Sequence, residues 1–395
     1  WSRATVPKRV DSIPRAREVI EDANVTEAGA WRMRGKGVHR VLKTRVQPRQ
    51  AQYLKEELLS LGGECAISGL NDQDEENLAV VMMGTMAQFK RLVDKLDGQP
   101  YGLATFGREL RGTLGIGVSP DRHGYPWENG TSVMGILNVT PDSFHDGGEY
   151  DAVEDAIERA EEMVAAGADI IDVGGESTRP GAEEVPAAEE RDRVVPVIEA
   201  ISDLDVHISI DTRKASVARA ALDAGADILN DVSGLEDPEM RLVAADHDVP
   251  VVVMHSIDTP VDPDADVPYD DVVDDVIEEL TERVLLAEKA GLDRSQIIVD
   301  PGLGFGKTAA ENFDLLGRLE EFAGLGCPVL VGHSHKSMFG AIGRDPDARL
   351  EPTIAGTAVA VEHGADIVRV HDVAANAAAV DVVEAAADPD SVGGE

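Results

Sequence analysis

The chain has 395 residues, 43% of them apolar, and a formal net charge of −39. At roughly 100–200 residues per domain the length admits more than one domain. No apolar run approaches the roughly 18 residues of a membrane-spanning helix, which excludes an integral membrane protein of that kind. No charged-then-apolar N-terminal segment reads as a signal peptide, so a cytoplasmic location is expected, and Trp1 in place of Met suggests a piece of a longer polypeptide. The charge is unevenly placed. Residues 1–130 carry 19 Lys+Arg against 17 Asp+Glu, and residues 131–395 carry 17 against 58. The acidic residues fall on helical stretches, as at Glu154, Asp155, Glu158, Glu161 and Glu162, not in one block. An evenly acidic surface suits a halophilic cytoplasm, where salt screens its self-repulsion, and argues against nucleic acid as a partner. Cys65 and Cys327, without metal-like spacing, read as two reduced thiols.

In chain order, residues 1–32 read as a poorly ordered lead or linker. Residues 33–118 read as a small α/β accessory domain. A strand is expected at 38–46, a helix at 48–61, strands at 65–67 and 77–83, a helix capped by Thr85 and running to 96, and a last strand at 113–118. This order predicts a split βαβ unit, α+β in class, with no catalytic constellation. Residues 119–130 read as a linker and 388–395 as a disordered tail.

Residues 131–387 carry a repeated grammar. Four apolar residues from Met134 run into Asn138 and then into a loop punctuated by Pro and Gly, as a buried strand delivering a side chain to a site would read. Gly167-Ala-Asp-Ile-Ile-Asp172, Gly225-Ala-Asp-Ile-Leu-Asn230 and Gly364-Ala-Asp-Ile-Val-Arg369 share one pattern. A helix ends at a Gly suited to a left-handed cap, Ala-Asp turns, and a short strand places a polar residue five positions on. Further strands end at Asp211, Met254, Asp300 and before Lys336. Eight such ends with helical patterns between them predict a (β/α)8 TIM barrel. A doubly wound sheet is the runner-up and lacks a Gly-x-Gly-x-x-Gly at its first strand.

A barrel gathers these ends at one mouth: Asn138, Asp172, Asp211, Asn230, Met254, Asp300, Lys336, Arg369 and His371. Arg369, His371 and the loop Thr178-Arg179-Pro180-Gly181 suit a phosphate or pyrophosphate. Asn138 can join phosphate oxygens around Mg²⁺. Asp211, Asn230, Asp300 and Lys336 suit the polar edge of a flat heterocycle, with Met254 against its face. Each residue has a structural reading too. Asp231 and Asp237 read as turn residues, Met254 as core, and His333 and His335 as surface.

The segments 133–144, Asp172-Val-Gly-Gly-Glu-Ser-Thr-Arg-Pro-Gly-Ala182, Ile210-Asp-Thr, Asn230-Asp, Asp300-Pro-Gly-Leu-Gly-Phe-Gly-Lys307 and Arg369-Val-His-Asp372 together resemble the dihydropteroate synthase family, in order and over nearly all of 131–387. The residues before 131 resemble an extension found on some members. The resemblance implies a transferase of folate biosynthesis that joins a dihydropterin diphosphate to 4-aminobenzoate and releases pyrophosphate, with Mg²⁺ as cofactor and a homodimer as assembly. It implies that Asp211, Asn230, Asp300 and Lys336 hold the pterin beside Met254, and that Asn138 binds metal and diphosphate. Thr178, Arg179, Arg369 and His371 would line the anion pocket. Thr178, Pro180, Phe305 and Ser337 would border the aminobenzoate, and Asp172 would support the phosphate loops. Asp211, Lys336, Arg369 and His371 are the catalytic candidates. Loops 140–149 and 178–186 are expected to act as lids. Where the family commonly has Ser-Arg-Lys-Ser, this chain has Ser334-His335-Lys336-Ser337, and His lacks the five-donor fork of Arg. A pterin-binding paralogue without this activity and a pterin-dependent methyltransferase are the alternative readings.

Overall fold

The computed structural model describes residues 8, 10, 12–68, 77–117, 123–139, 149–176, 184–256 and 268–389. The chain divides into two compact units, residues 1–119 and 120–395.

The first unit begins with α1 (Ile13–Glu21) and α2 (Glu27–Met33). The lead expected to lack order therefore holds two short helices. Composition conceals them because each is specified by its cap: Ser12 accepts from Arg15 N ahead of a Pro in the first turn, and Thr26 accepts from Gly29 N. There follow β1 (His39–Val46), α3 (Pro48–Ser60), β2 (Glu64–Ile67), β3 (Leu78–Thr85), α4 (Met86–Leu96) and α5 (Leu103–Thr113). β3 lies between β1 and β2 and antiparallel to both, which makes β1–α3–β2 a βαβ unit split by a third strand. Leu54, Leu58, Phe89, Leu92 and Leu96 pack with Val46, Val80 and Met82 into its core. Residues 113–117 of the strand expected at 113–118 form no strand, and residue 118 lies outside the described residues. Leu103, Phe106, Leu110 and Leu114 lie at helical spacing on one face, and that face packs on this core as α5 and its last turn.

The second unit is a parallel barrel. Its strands are β4 (Ser132–Asn138), β5 (Ile170–Gly174), β6 (His207–Asp211), β7 (Ile228–Asp231), β8 (Val251–Met254), β9 (Ile297–Asp300), β10 (Leu330–Gly332) and β11 (Ile367–Val370). The intervening helices are α6 (Glu149–Ala165), α7 (Ala187–Ile201), α8 (Ala215–Asp223), α9 (Met240–His247), α10 (Val272–Ala290), α11 (Ala309–Gly317), α12 (Leu350–Glu362) and α13 (Val373–Ala387). The hydrogen-bonded order is β10-β11-β4-β5-β6-β7-β8-β9, and a parallel bridge between Val299 and Val329 joins its two ends. Strands buried on both faces read as largely apolar runs, as at Val251–Met254 and Ile297–Asp300.

Three of the entries into the barrel share one device. The Asp of each Gly-Ala-Asp turn clamps the neighbouring strand with two hydrogen bonds. Val133 N donates to Asp169 Oδ2 at 2.8 Å while Asp169 N donates back to Val133 O at 2.9 Å. Asp227 treats Ile208, and Asp366 treats Val329, in the same way. Gly167, Gly225 and Gly364 precede them at φ of 96°, 115° and 88°, the left-handed conformation expected of the helix ends.

The barrel floor is apolar. Met134, Ile170, Ile228, Val252, Ile298, Leu330 and Ile367, one from each of seven strands, form a separate cluster with Trp127. The segment expected as a linker supplies this plug. A 3₁₀ turn at Pro126–Glu128 carries Trp127, which Tyr125 stacks at 4.7 Å, and the Glu128 carboxylate accepts from His123 N and Gly124 N. A closed ring of apolar side chains needs a cover at its base, and its Pro and Gly allow this segment to bend under it. Among the described residues no helix is long and apolar enough to cross a membrane. Both cysteines are buried and free, and burial pushes the Cys327 thiol up to about 12.

Replacing Trp127 by Ala is expected to cost ~3–5 kcal/mol of unfolding free energy. Urea titration measures it, and a loss below ~1 kcal/mol would show that the barrel closes without the plug.

Candidate active site at the barrel mouth

Parallel strands of a closed barrel deliver their C-terminal residues to one end, and the polar residues sit there. Register places Asn138, Gly174, Asp211 and Asn230 side by side across β4 to β7. Asp172 lies two residues earlier on β5 and is fully buried. Arg369 on β11 reaches this group. Its Nε donates to Asp172 Oδ2 and its Nη2 to Asp211 Oδ2, both at 2.6 Å. Asn230 Nδ2 adds a third bond, 3.0 Å to Asp172 Oδ2. The three residues five positions after each repeated Gly thus meet, and one guanidinium is shared by two carboxylates. Burial, partly offset by Arg369, and then repulsion from Asp172 hold the Asp211 carboxyl up at about 7.

Across the mouth stand Asp300, Lys336, Phe305 and Met254. Asp300 ends β9, is buried, and accepts from Gly302 N at 2.7 Å; burial raises its carboxyl above the usual range. Lys336 follows β10, donates to Leu303 O, and lies 4.6 Å from the centre of the Phe305 ring. Burial lowers its ammonium to about 8, against the attraction of Asp300. Met254 ends β8 and is buried at this edge, as both core and site readings require. Ser337 is exposed at the next turn. His371 bonds Ser334 Oγ through Nδ1 at 2.9 Å. Asn138 is exposed at the end of β4. Thr178, Arg179 and Pro180, and with them residues 140–148 and 178–183 of the lids expected at 140–149 and 178–186, lie outside the described residues.

Of the two histidines read as surface residues, one departs from that reading. His333 is fully buried, with Nε2 3.0 Å from Thr353 O and 2.9 Å from Thr357 Oγ1, because the last turn before Lys336 packs under α12. His335, at the position that departs from the family pattern, keeps its side chain 36% exposed and has several partners. Its φ is +55°, its Nε2 lies 2.6 Å from Asp372 Oδ2, its backbone bonds Thr353 and Arg349, and its ring sits edge-on to His371 at 5.6 Å. Asp231 and Asp237 are turn residues, accepting from backbone N–H groups at 233 and 235 and at 215 and 239.

Sequence reading missed a second layer of charge. Glu176 accepts from Val185 N at 2.8 Å and pairs with Arg213 at 2.9 Å and Lys214 at 3.0 Å. The fully buried Glu190 takes Lys214 at 2.5 Å and Thr212 Oγ1 at 2.6 Å. Glu176 stands inside a quoted motif, so its place was visible, but no spacing announces Glu190 or Lys214 as its neighbours. Lys307 was seen only as part of a glycine-rich segment.

The family model for pterin binding enzymes matches residues 134–371, which span the mouth residues from the first strand to His371. The chain belongs to the pterin binding enzyme family. It is 69% identical over 386 residues to a probable bifunctional folylpolyglutamate synthase/dihydropteroate synthase of Halobacterium salinarum, covering 98% of this chain and 47% of that protein. This pterin binding enzyme therefore spans about half the length of that relative. It is 50% identical over 246 residues to the dihydropteroate synthase of Bacillus subtilis, covering 62% of this chain and 84% of that one. A solved structure of Xanthomonas albilineans dihydropteroate synthase with 4-aminobenzoic acid is similar at 45% identity and a TM-score of 0.62, covering 66% of this chain and 94% of that one.

Asp211 gives the chain a pH signature that can be measured. A carboxyl raised from 3.8 to about 7 contributes stability that is full below its unfolded value and lost as pH rises through about 7. Asp211→Asn is expected to gain ~1 kcal/mol relative to the parent chain between pH ~6 and ~8, read from urea midpoints in one salt. A constant difference across that range would show Asp211 to be ionised throughout.

Proposed function

We propose that this chain condenses 6-hydroxymethyl-7,8-dihydropterin diphosphate with 4-aminobenzoate, giving 7,8-dihydropteroate and pyrophosphate, as a dihydropteroate synthase of folate biosynthesis. The observation that carries the reading is Arg369 seated between Asp172 and Asp211 with Asn230 beside them. That group puts carboxylates and an amide for the pterin edge against a cation for the diphosphate. The name of the Bacillus subtilis relative and the 4-aminobenzoic acid in the Xanthomonas albilineans structure support the same substrates.

Asp211, Asn230 and Asp300 pair with the amino-pyrimidinone edge, and Lys336 donates to a ring nitrogen or carbonyl. Met254 bears on the ring face. Arg369 uses two N–H groups on carboxylates, and in this reading its remaining donors take the phosphate oxygens. The bond from the methylene carbon to the diphosphate oxygen breaks, and pyrophosphate leaves with the electron pair. The cation-like methylene is stabilised by the electron-rich ring and the nearby Asp211 carboxylate. The neutral aryl amine attacks that carbon and then loses one proton. Ser337 and Phe305 border the incoming amine, with Thr178 and Pro180 on the same side in this reading. His371, Thr178 and Arg179 join Arg369 on the side of the diphosphate.

Mg²⁺ fits one feature of the mouth. Among the described residues no group of three or more His, Cys, Asp or Glu could hold a metal. Asn138 offers a single hard amide oxygen, beside Gly174 on the side where Asp211 also lies. An ion that keeps its waters and binds chiefly through substrate phosphates needs no more from the protein. When bound it would neutralise charge on the departing pyrophosphate. A coupled pyrophosphate assay with both substrates in molar KCl tests the function. Turnover is expected, and Asp211→Ala and Arg369→Ala should each lower it at least ~100-fold. Pterin binding without pyrophosphate release in the unaltered chain would move the protein to the non-catalytic reading.

We also propose a homodimer working in a salt-rich cytoplasm. Helices α12 and α13 are apolar nearly all round and Ala/Val-rich in an otherwise acidic unit, and Val359 and Val382 remain 38% and 68% exposed on them. Sedimentation and melting against KCl examine this together. A dimer whose melting temperature rises with salt is expected, and a monomer fully stable in dilute buffer would overturn both parts.

A further inference from the structure

The turn that follows β9 runs Pro301-Gly-Leu-Gly-Phe-Gly-Lys307. Gly302, Gly304 and Gly306 have φ of +66°, +82° and +63°, so side-chain sterics do not set its shape. It presents two groups to the mouth: the Leu303 carbonyl that accepts from Lys336, and the Phe305 ring beneath the same ammonium. Something must hold a glycine turn in register for these to meet Lys336.

Lys307 folds back under its own turn. Its Nζ lies 2.9 Å from Gly302 O, 3.1 Å from Phe305 O and 3.0 Å from His255 Nδ1. The two carbonyls bracket Leu303 and Gly304. His255 is a fixed seat: it is fully buried, and a Cβ on Gly302 would lie 1.9 Å from its carbonyl oxygen, so the turn is pressed onto the end of β8. Burial, with Lys307 and Arg283 nearby, lowers the His255 imidazole to about 3, which leaves Nδ1 a lone pair to accept with. Burial, and then Lys336, lowers the Lys307 ammonium to about 7; in its charged form it has three N–H donors, and all three are spent on these partners. The Lys307 side chain therefore has no donor left for a phosphate.

We propose that Lys307 is a positioning residue for the pterin end of the site: by tying the Gly302 and Phe305 carbonyls to His255 it fixes the Leu303 carbonyl and the Phe305 ring that hold Lys336. It touches no substrate. The inference rests on the synthase reading for what the site binds, and on geometry alone for the strut.

Lys307→Met and Lys307→Gln in the full chain test it, by hydrogen exchange over 301–307 and by calorimetry with 6-hydroxymethyl-7,8-dihydropterin and, separately, inorganic pyrophosphate. Loss of charge-assisted bonds should speed exchange in the turn and weaken the pterin at least ~10-fold in the Met variant, less in Gln, with pyrophosphate affinity within about twofold. Parental exchange and parental pterin affinity in either folded variant would overturn the proposal, and so would a matching loss of pyrophosphate affinity, which makes Lys307 an anion ligand. If the unaltered chain binds no pterin, the synthase reading fails, and the exchange comparison still decides the strut.

Discussion

One guanidinium organises the mouth of this barrel. Arg369 is held by two carboxylates from different strands, and those carboxylates need it: without a cation between them, Asp172, fully buried, and Asp211 would face each other at unsustainable cost. The arrangement leaves the site with one positive charge against two negative ones. Asp211 absorbs the imbalance in its raised carboxyl. A ligand that brings N–H donors to Asp211 and phosphate oxygens to Arg369 meets each partner's unmet demand, so the pair is preorganised for a molecule carrying both.

The same logic recurs one layer below. Glu190 and Glu176 share Lys214, and Glu176 also spans from the end of β5 to Val185. Each buried carboxylate there has a cation and a backbone or hydroxyl donor, the condition under which a buried charge is tolerated. The floor of the barrel is the opposite, dry and apolar, closed by Trp127. The site's charges gather where the strands end, while the acidic groups at the strand entries, Asp169, Asp227 and Asp366, are taken up by backbone N–H groups.

Much of this was legible in the sequence because period and position carry it. The repeated Gly-Ala-Asp turns place Asp172, Asn230 and Arg369 at equivalent points, and closure of the ring does the rest. What could not be read was what depends on meetings across elements. Trp127 looks like linker until a ring exists for it to plug. His333 looks like a loop histidine until α12 covers it. Lys307 looks like no more than the end of a glycine-rich segment until its side chain is seen to be spent on its own turn. The helices α1 and α2 were missed for a different reason: two cap bonds decide them, and composition averages such bonds away.

The paired bonds made by Asp169, Asp227 and Asp366 have a bearing on how the barrel tolerates change. Each clamp sits three residues before a mouth residue, so it acts as a fixed zero mark from which Asp172, Asn230 and Arg369 are measured along their strands, ~10 Å away at ~3.3 Å per residue. A residue gained or lost before the clamp is absorbed by the helix end. One gained or lost after it turns the mouth residue to the other face of the sheet. Length drift in this family is therefore expected to collect on the helical side of each Gly-Ala-Asp, leaving the three-residue interval as the barrel's unit of calibration.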